Sequence, residues 1–157
     1  MKLKLIVVGK TNASYLREGE AEYDKRIRRY RPFEVYVVPE PKKATKLPVD
    51  QLKQAEGELL LKQFDATDYV LLLDEKGKAY RSVEFAAHLD QLEVAGTRRL
   101  VLVVGGPYGF SDSVYRRANG KLSLSKMTFS HQMVRLFAME QLYRALSIRK
   151  GDPYHHE

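Results

Sequence analysis

The chain has 157 residues, 27 lysines and arginines against 20 aspartates and glutamates, a formal charge of +7 and no cysteine. That length predicts one domain over residues 1–157 with a sizeable core, and the missing cysteine excludes disulfides, thiolate nucleophiles and cysteine-held metals. No apolar run approaches the roughly 18 residues of a transmembrane helix, and "MKLKLIVVGK" is too short in its apolar part, and too poor in small residues after it, for a secretory signal; a cytoplasmic protein without membrane attachment is expected.

In chain order, "KLIVVG" (4–9) reads as a first strand, followed by a helical pattern near 13–30 that holds the densest basic run, "DKRIRRYR" (24–31). "FEVYVVP" (33–39) reads as a second strand, and the proline-bounded basic stretch "EPKKATKLP" (40–48) as an exposed, mobile loop. A helix over 49–64, a strand "DYVLLLD" (68–74), a helix over 81–95 and a strand "RLVLVVG" (99–105) follow, then a short helix over 111–119, a weaker strand "KLSLSKM" (121–127) and a long helix over 130–149. Strands this uniformly apolar predict a mostly parallel sheet covered on both faces, and alternation with helices predicts an α/β fold. Ligands in such sheets bind beyond the carboxyl ends of the strands. Three such ends, "LLLDEKGK", "VVGGPYGF" and "LSLSKMTFSH", belong to successive strands and are expected to line one crevice.

Several tempting motifs fail. "VVGKT" (7–11) lacks the first glycine of a phosphate-binding loop, since Lys4 stands there, and "GGPYG" (105–109) lacks the dinucleotide-binding spacing. No pair of histidines has zinc-ligand spacing, so no metal is expected; His88 is expected at the surface of an ordinary amphipathic helix. No nucleophile elbow or carboxylate pair suggests hydrolysis. The several basic clusters, interleaved with Tyr23, Tyr30 and Tyr115, favour a nucleic-acid partner over a merely solvated helix face. The 130–149 helix is apolar around most of its circumference, as in a subunit interface or a central core helix. The tail "GDPYHHE" (151–157) is read either as unstructured or as folded over a site.

Taken together, "VVGGPYGF", "LSLSKMTFSHQMVRLFAMEQLYRALSI" and the terminal "PYHHE" resemble the RlmH family of ribosomal large-subunit methyltransferases in the SPOUT superfamily, and "MKLKLIVVGK" and "LLLDEKGK" fit it too. The resemblance covers nearly the whole chain. It implies a SPOUT-type α/β fold with a C-terminal trefoil knot, which general chain-topology rules would not suggest. It further implies a homodimer and transfer of a methyl group from S-adenosyl-L-methionine to N3 of a pseudouridine in 23S rRNA on assembled ribosomes. Carried over, the cofactor site would use Leu73, Gly105, Gly106 and the run Leu124, Ser125, Lys126, Met127, Thr128 and Phe129. The chemistry is compatible: adenine needs an apolar slot with main-chain hydrogen-bonding groups at its edges, and glycines allow close approach to the backbone. Since N3 carries a proton, a histidine is the natural general base. His155 is the first candidate, with Tyr154 against the target base, and His131 the second. Arg135 and Arg144 are candidates for RNA phosphate, or else for helix ion pairs such as Glu140 with Arg144. The rival reading is a non-enzymatic basic RNA-binding or ribosome-associated module, which would leave the glycine turn and the tail without a role.

Overall fold

The computed structural model describes all residues 1–157. Five strands form one sheet: β1 (Lys2–Val8), β2 (Phe33–Val38), β3 (Tyr69–Ala79), β4 (Arg99–Val104) and β5 (Gly120–Ser123). Their order is β2-β1-β4-β3-β5 and every pairing is parallel. Four helices lie between them, α1 (Ser14–Arg28), α2 (Val49–Leu61), α3 (Ser82–Val94) and α4 (Asp112–Arg117), and a fifth, α5 (Met133–Lys150), follows β5.

The strands are apolar on both sides because both faces are covered. Leu3, Leu5 and Val7 of β1, with Leu100 and Leu102 of β4, pack on one face against Ile27, Phe85, Leu89, Met139 and Leu142 from α1, α3 and α5. The intervening Ile6, Val8, Val101 and Val103 face the other way, onto Leu60 of α2 and Val114 of α4. Alternation of side chains across a strand turns one apolar run into two cores. The edge strand β2 shows the contrast, with Tyr36 and Val37 exposed.

The boundaries differ from the sequence reading where apolar patterning ends. β3 does not stop at Asp74: after Leu73 pairs with Leu122 the chain bulges out over residues 74–77, and Lys78 pairs with Leu122 again. Gly77 makes this return, for a Cβ there would lie 2.6 Å from the Lys121 carbonyl carbon. β5 is shorter than expected and ends at Ser123, so the next residues form a loop rather than a strand. His88 is not a free surface residue. It is half-buried, stacked on Tyr80 with ring centroids 5.4 Å apart and edge-on to Tyr69 at 6.0 Å.

Helix α5 lies in the same layer as α1 and α3 and buries Ala138, Met139, Leu142, Ala145 and Leu146. It stops at Gly151, whose φ of +81° permits the closing bond from Asp152 N–H to the Ser147 carbonyl. This turn sends the last residues back along the helix. The tail is therefore packed against α1 and α5.

Candidate active site

The C-terminal ends of β4, β3 and β5 are neighbours and open into one cavity of about 710 Å³, a size suited to a cofactor-sized ligand. Leu73, Gly105 and Gly106 line it from β3 and β4; Leu124, Ser125, Met127, Thr128 and Phe129 line it from the segment after β5. Lys126 is the exception, exposed and outside the lining. The β5 loop owes its shape to internal bonds. Ser123 Oγ donates to the Ser125 carbonyl at 2.9 Å, and Ser125 Oγ accepts from Met127 N–H at 2.9 Å. Thr128 Oγ1 then donates to Glu75 in the β3 bulge at 2.9 Å, which ties the two loops together across the opening.

The glycine turn is constrained from within. Gly109 adopts φ +85° and its N–H reaches the Gly106 carbonyl at 3.2 Å. A Cβ on Gly105 would lie 2.8 Å from the Phe110 ring, and one on Gly106 would lie 2.7 Å from a Glu56 carboxylate oxygen. The Phe110 ring thus crowds any side chain at 105, whereas at 106 the crowding atoms are the flexible end of Glu56. Tyr115, at the same end of the sheet, donates to Asp74 at 2.5 Å. Burial, and then this bond, push its hydroxyl pKa up to about 12, so it stays a donor through the neutral range.

Of the catalytic candidates read from the sequence, His131 stands at the cavity wall. Burial, reinforced by the Arg135 charge, holds its pKa below the ordinary histidine value, which favours a neutral imidazole able to accept a proton. Tyr154 and His155 lie elsewhere. Tyr154 Oη is 3.0 Å from Glu140 and 3.2 Å from Tyr23 Oη, and its ring stands edge-on to Tyr143 at 4.7 Å. His155 Nδ1 is 3.2 Å from an Arg144 guanidinium nitrogen; since that nitrogen can only donate, Nδ1 accepts from it in this arrangement.

The two arginines expected to hold phosphate have other engagements. Arg144 pairs with Glu140, one helical turn away, at 3.0 Å, and lies over the Tyr154 ring at 4.7 Å. Arg135 is wholly buried at 0% exposure. It donates to the carbonyls of Val8 (2.6 Å), Gly9 (2.8 Å) and His131 (3.1 Å) and to Thr11 Oγ1 (3.1 Å). This corrects the phosphate-binding reading: a guanidinium with its donors directed into the main chain pins the end of β1 to the start of α5 and offers nothing to RNA. No group of three or more His, Cys, Asp or Glu residues is arranged to hold a metal, and no helix is long and apolar enough to cross a membrane.

Sequence reasoning missed Glu56. It sits between Leu52 and Leu60 on the buried face of α2, and an acidic residue interrupting an i, i+4, i+8 apolar stripe was a legible signal.

Known proteins are similar to this chain in sequence and in fold. A family model described as "Predicted SPOUT methyltransferase" matches residues 1–155. A protein of Cytophaga hutchinsonii named ribosomal RNA large subunit methyltransferase H is 54% identical over 156 residues, covering 99% of this chain and 100% of that one. A protein of the same name from Parabacteroides distasonis is 52% identical over 157 residues and the whole of both chains. A crystal structure of a probable methyltransferase from Bordetella pertussis Tohama I superposes with a TM-score of 0.53, 14% identity and coverage of 92% of this chain and 96% of that one; at that identity it speaks for the fold alone.

Proposed function

The chain belongs to the SPOUT methyltransferase family, with relatives named ribosomal RNA large subunit methyltransferase H, and from that premise we propose that it methylates N3 of a pseudouridine in 23S rRNA, on assembled ribosomes in the cytoplasm. The observation that carries this reading is the cavity formed by three loops at adjacent strand ends, with glycines on one side and a self-bonded loop on the other. The residues fit S-adenosyl-L-methionine: Leu73, Leu124 and Met127 offer apolar walls, and the loop backbones offer amides and carbonyls for the adenine edge. When bound, this group supplies a methyl on a positively charged sulfur.

The protein's work is then chiefly placement, since in-line transfer needs the acceptor nitrogen held against the methyl. His131 is already at the wall and favours the neutral form, which makes it the base available within one chain; His155 and Tyr154 enter only if the tail leaves its packed position. Around the opening, Lys76, Lys121 and Lys126 are exposed and suit phosphate far better than Arg135 or Arg144. The trefoil knot implied by the resemblance is part of the same reading.

The test is a thermal-unfolding titration with S-adenosyl-L-methionine. A ligand at about a hundred times its dissociation constant stabilises by about 2.7 kcal/mol, which at this chain length raises Tm by roughly 5–11 °C. No shift, together with no heat in calorimetry, would leave the rival RNA-binding module as the better reading.

We also propose a homodimer built on the apolar surface beside the cavity. Met127 (77% exposed), Phe129, Met133 and Phe137 (42% exposed) cluster there, with the two phenylalanine rings 5.2 Å apart, and exposed apolar groups gathered in one place mark contact surfaces. Phe137→Glu is expected to convert the protein to a monomer at micromolar concentration by light scattering. A mass unchanged from a wild-type dimer would remove this surface from the interface, and a monomeric wild type would remove the dimer.

A further inference from the structure

A second cavity, of about 360 Å³, adjoins the first: Leu122, Leu124 and Phe129 line both. It lies between the start of α3 and the middle of α5, and its lining differs in kind. Tyr80, Phe129 and Phe137 supply aromatic walls, Ser82 and Gln141 supply polar groups, and Arg81 contributes a guanidinium. The Gln141 amide is held at both ends. Its Oε1 accepts from Ser82 Oγ at 3.0 Å, and its Nε2 donates to Glu140 Oε2 at 3.2 Å. An amide has two N–H donors and two acceptor positions on its oxygen, so this oriented group keeps one of each for a ligand.

The rim of the cavity is cationic. Arg81 is 68% exposed and pairs with Glu157, the last residue of the tail, at 2.7 Å. An exposed pair of this kind holds weakly, which leaves the guanidinium open to a competing phosphate. Lys78, also exposed, stands over the Tyr80 ring at 4.7 Å. The tail reaches the same place by a second route: Glu140 Oε1 accepts from Tyr154 Oη at 3.0 Å, so one carboxylate joins Tyr154 to Gln141. Phe129 and Phe137 belong also to the apolar surface proposed above for the dimer, whereas Ser82, Gln141 and Arg81 have no part in that contact.

Methylation at N3 works on the pairing edge of the ring, so the base must leave its stack to be reached. Pockets for such bases stack the ring on aromatic or apolar side chains and read its edge by hydrogen bonds. We infer that the second cavity receives the extruded target nucleotide, with its base among the aromatic side chains, a ring carbonyl on the free Gln141 N–H and its phosphate on Arg81. The inference rests on the methyltransferase reading above, and the shared wall of the two cavities brings acceptor and methyl into the proximity that transfer demands. When N3 gives up its proton to the catalytic histidine, negative charge spreads onto the flanking ring carbonyls. A donor held on one of them then counts for more than it does with the neutral ring. Gln141 therefore acts mainly on turnover, and Arg81 mainly on binding.

The test follows single-turnover methylation of unmodified ribosomes by wild type, Gln141→Met and Arg81→Gln, reading the saturating rate and the half-saturating ribosome concentration. Calorimetric affinity for S-adenosyl-L-methionine and thermal unfolding are measured on the same proteins. Methionine matches glutamine in length without its hydrogen bonds. For Gln141→Met the expected result is a saturating rate about 10–100-fold lower, the range for a hydrogen bond to a charged group. Its cofactor affinity should stay within a few-fold of wild type and its Tm within about 4 °C. Arg81→Gln should raise the half-saturating concentration and lessen its salt dependence, with the saturating rate near wild type. A Gln141→Met rate within a few-fold of wild type overturns the proposal. So does a parallel loss of cofactor affinity, which would make Gln141 a support of the shared wall. Unchanged ribosome dependence in Arg81→Gln overturns the placement of the phosphate. If wild type itself neither binds the methyl donor nor methylates ribosomes, it is the methyltransferase reading that fails.

Discussion

Arg135→Ala is expected to lower the melting temperature by roughly 6–12 °C and to weaken cofactor binding at the same time. The side chain is wholly buried and directs its donors at main-chain carbonyls from two separate parts of the fold. Removing it leaves the Val8 and Gly9 carbonyls without that donor, in a place that water does not readily reach. An orphaned buried polar group costs about 1–3 kcal/mol, so two of them amount to about 3 kcal/mol after allowance for relief of the buried charge. That relief is real, because burial is the main influence lowering the Arg135 pKa, with Glu20 and Glu40 working against it. At this chain length each kcal/mol shifts Tm by about 2–4 °C. Arg135→Lys should recover part of the loss, since a single ammonium keeps the charge but cannot reproduce the planar fork. The cofactor effect follows from position: His131 and Val134, on the same turn, form part of the cavity wall. A Tm for Arg135→Ala within about 2 °C of wild type, read by calorimetry, would show that the carbonyls find other partners and that the arginine is not a structural pin.

That residue also shows where reading the sequence reached and where it stopped. The parallel sheet was legible because runs such as "RLVLVV" are apolar at nearly every position, which only a strand covered on both faces requires. The crevice was legible because three strand ends carried glycine or polar loops in succession. The Asp74–Gly77 bulge was not, since its Asp-Glu-Lys-Gly run looks like an ordinary end of a strand, and its return to pairing depends on the edge strand β5 lying alongside. Arg135 could not be placed either. Two of its partners are carbonyls more than 120 residues away along the chain, and a carbonyl has no signature in sequence. Among tail residues, Tyr154 likewise reads as free for chemistry until Tyr23, Glu140 and Tyr143 are seen around it. Glu56 was visible as a break in an apolar stripe, but its closeness to Gly106 joins two elements that only the folded sheet brings together.

The largest expected effect on activity concerns the general base, and the structure sharpens a choice between two histidines. If the tail serves the target base, His155→Ala should reduce methylation of ribosomal RNA by about 10²–10⁴-fold, the usual contribution of one acid–base group. Affinity for S-adenosyl-L-methionine should stay within a few-fold, since neither Tyr154 nor His155 lines the cavity. Removal of residues 154–157 should have at least the same kinetic effect, but it also strips the Tyr154 contacts to α1 and α5, so the single substitution is the cleaner measurement. In the packed tail His155 Nδ1 faces Arg144, and catalysis by His155 therefore requires that contact to break. Arg144→Gln, which weakens the hold on the tail, should then leave turnover near normal or raise it. If His131 is the base instead, His155→Ala will be near normal and His131→Ala will carry the loss. The pH profile separates the two independently. The His131 pKa lies below the usual histidine value because burial and the Arg135 charge disfavour its protonated form, so the base stays competent as pH falls, and the acidic limb of kcat/KM should drop only below the pH at which an ordinary imidazole protonates. Loss of activity in His155→Ala together with an unshifted profile in His131→Ala assigns the proton to the tail; the opposite pair of results assigns it to the cavity wall.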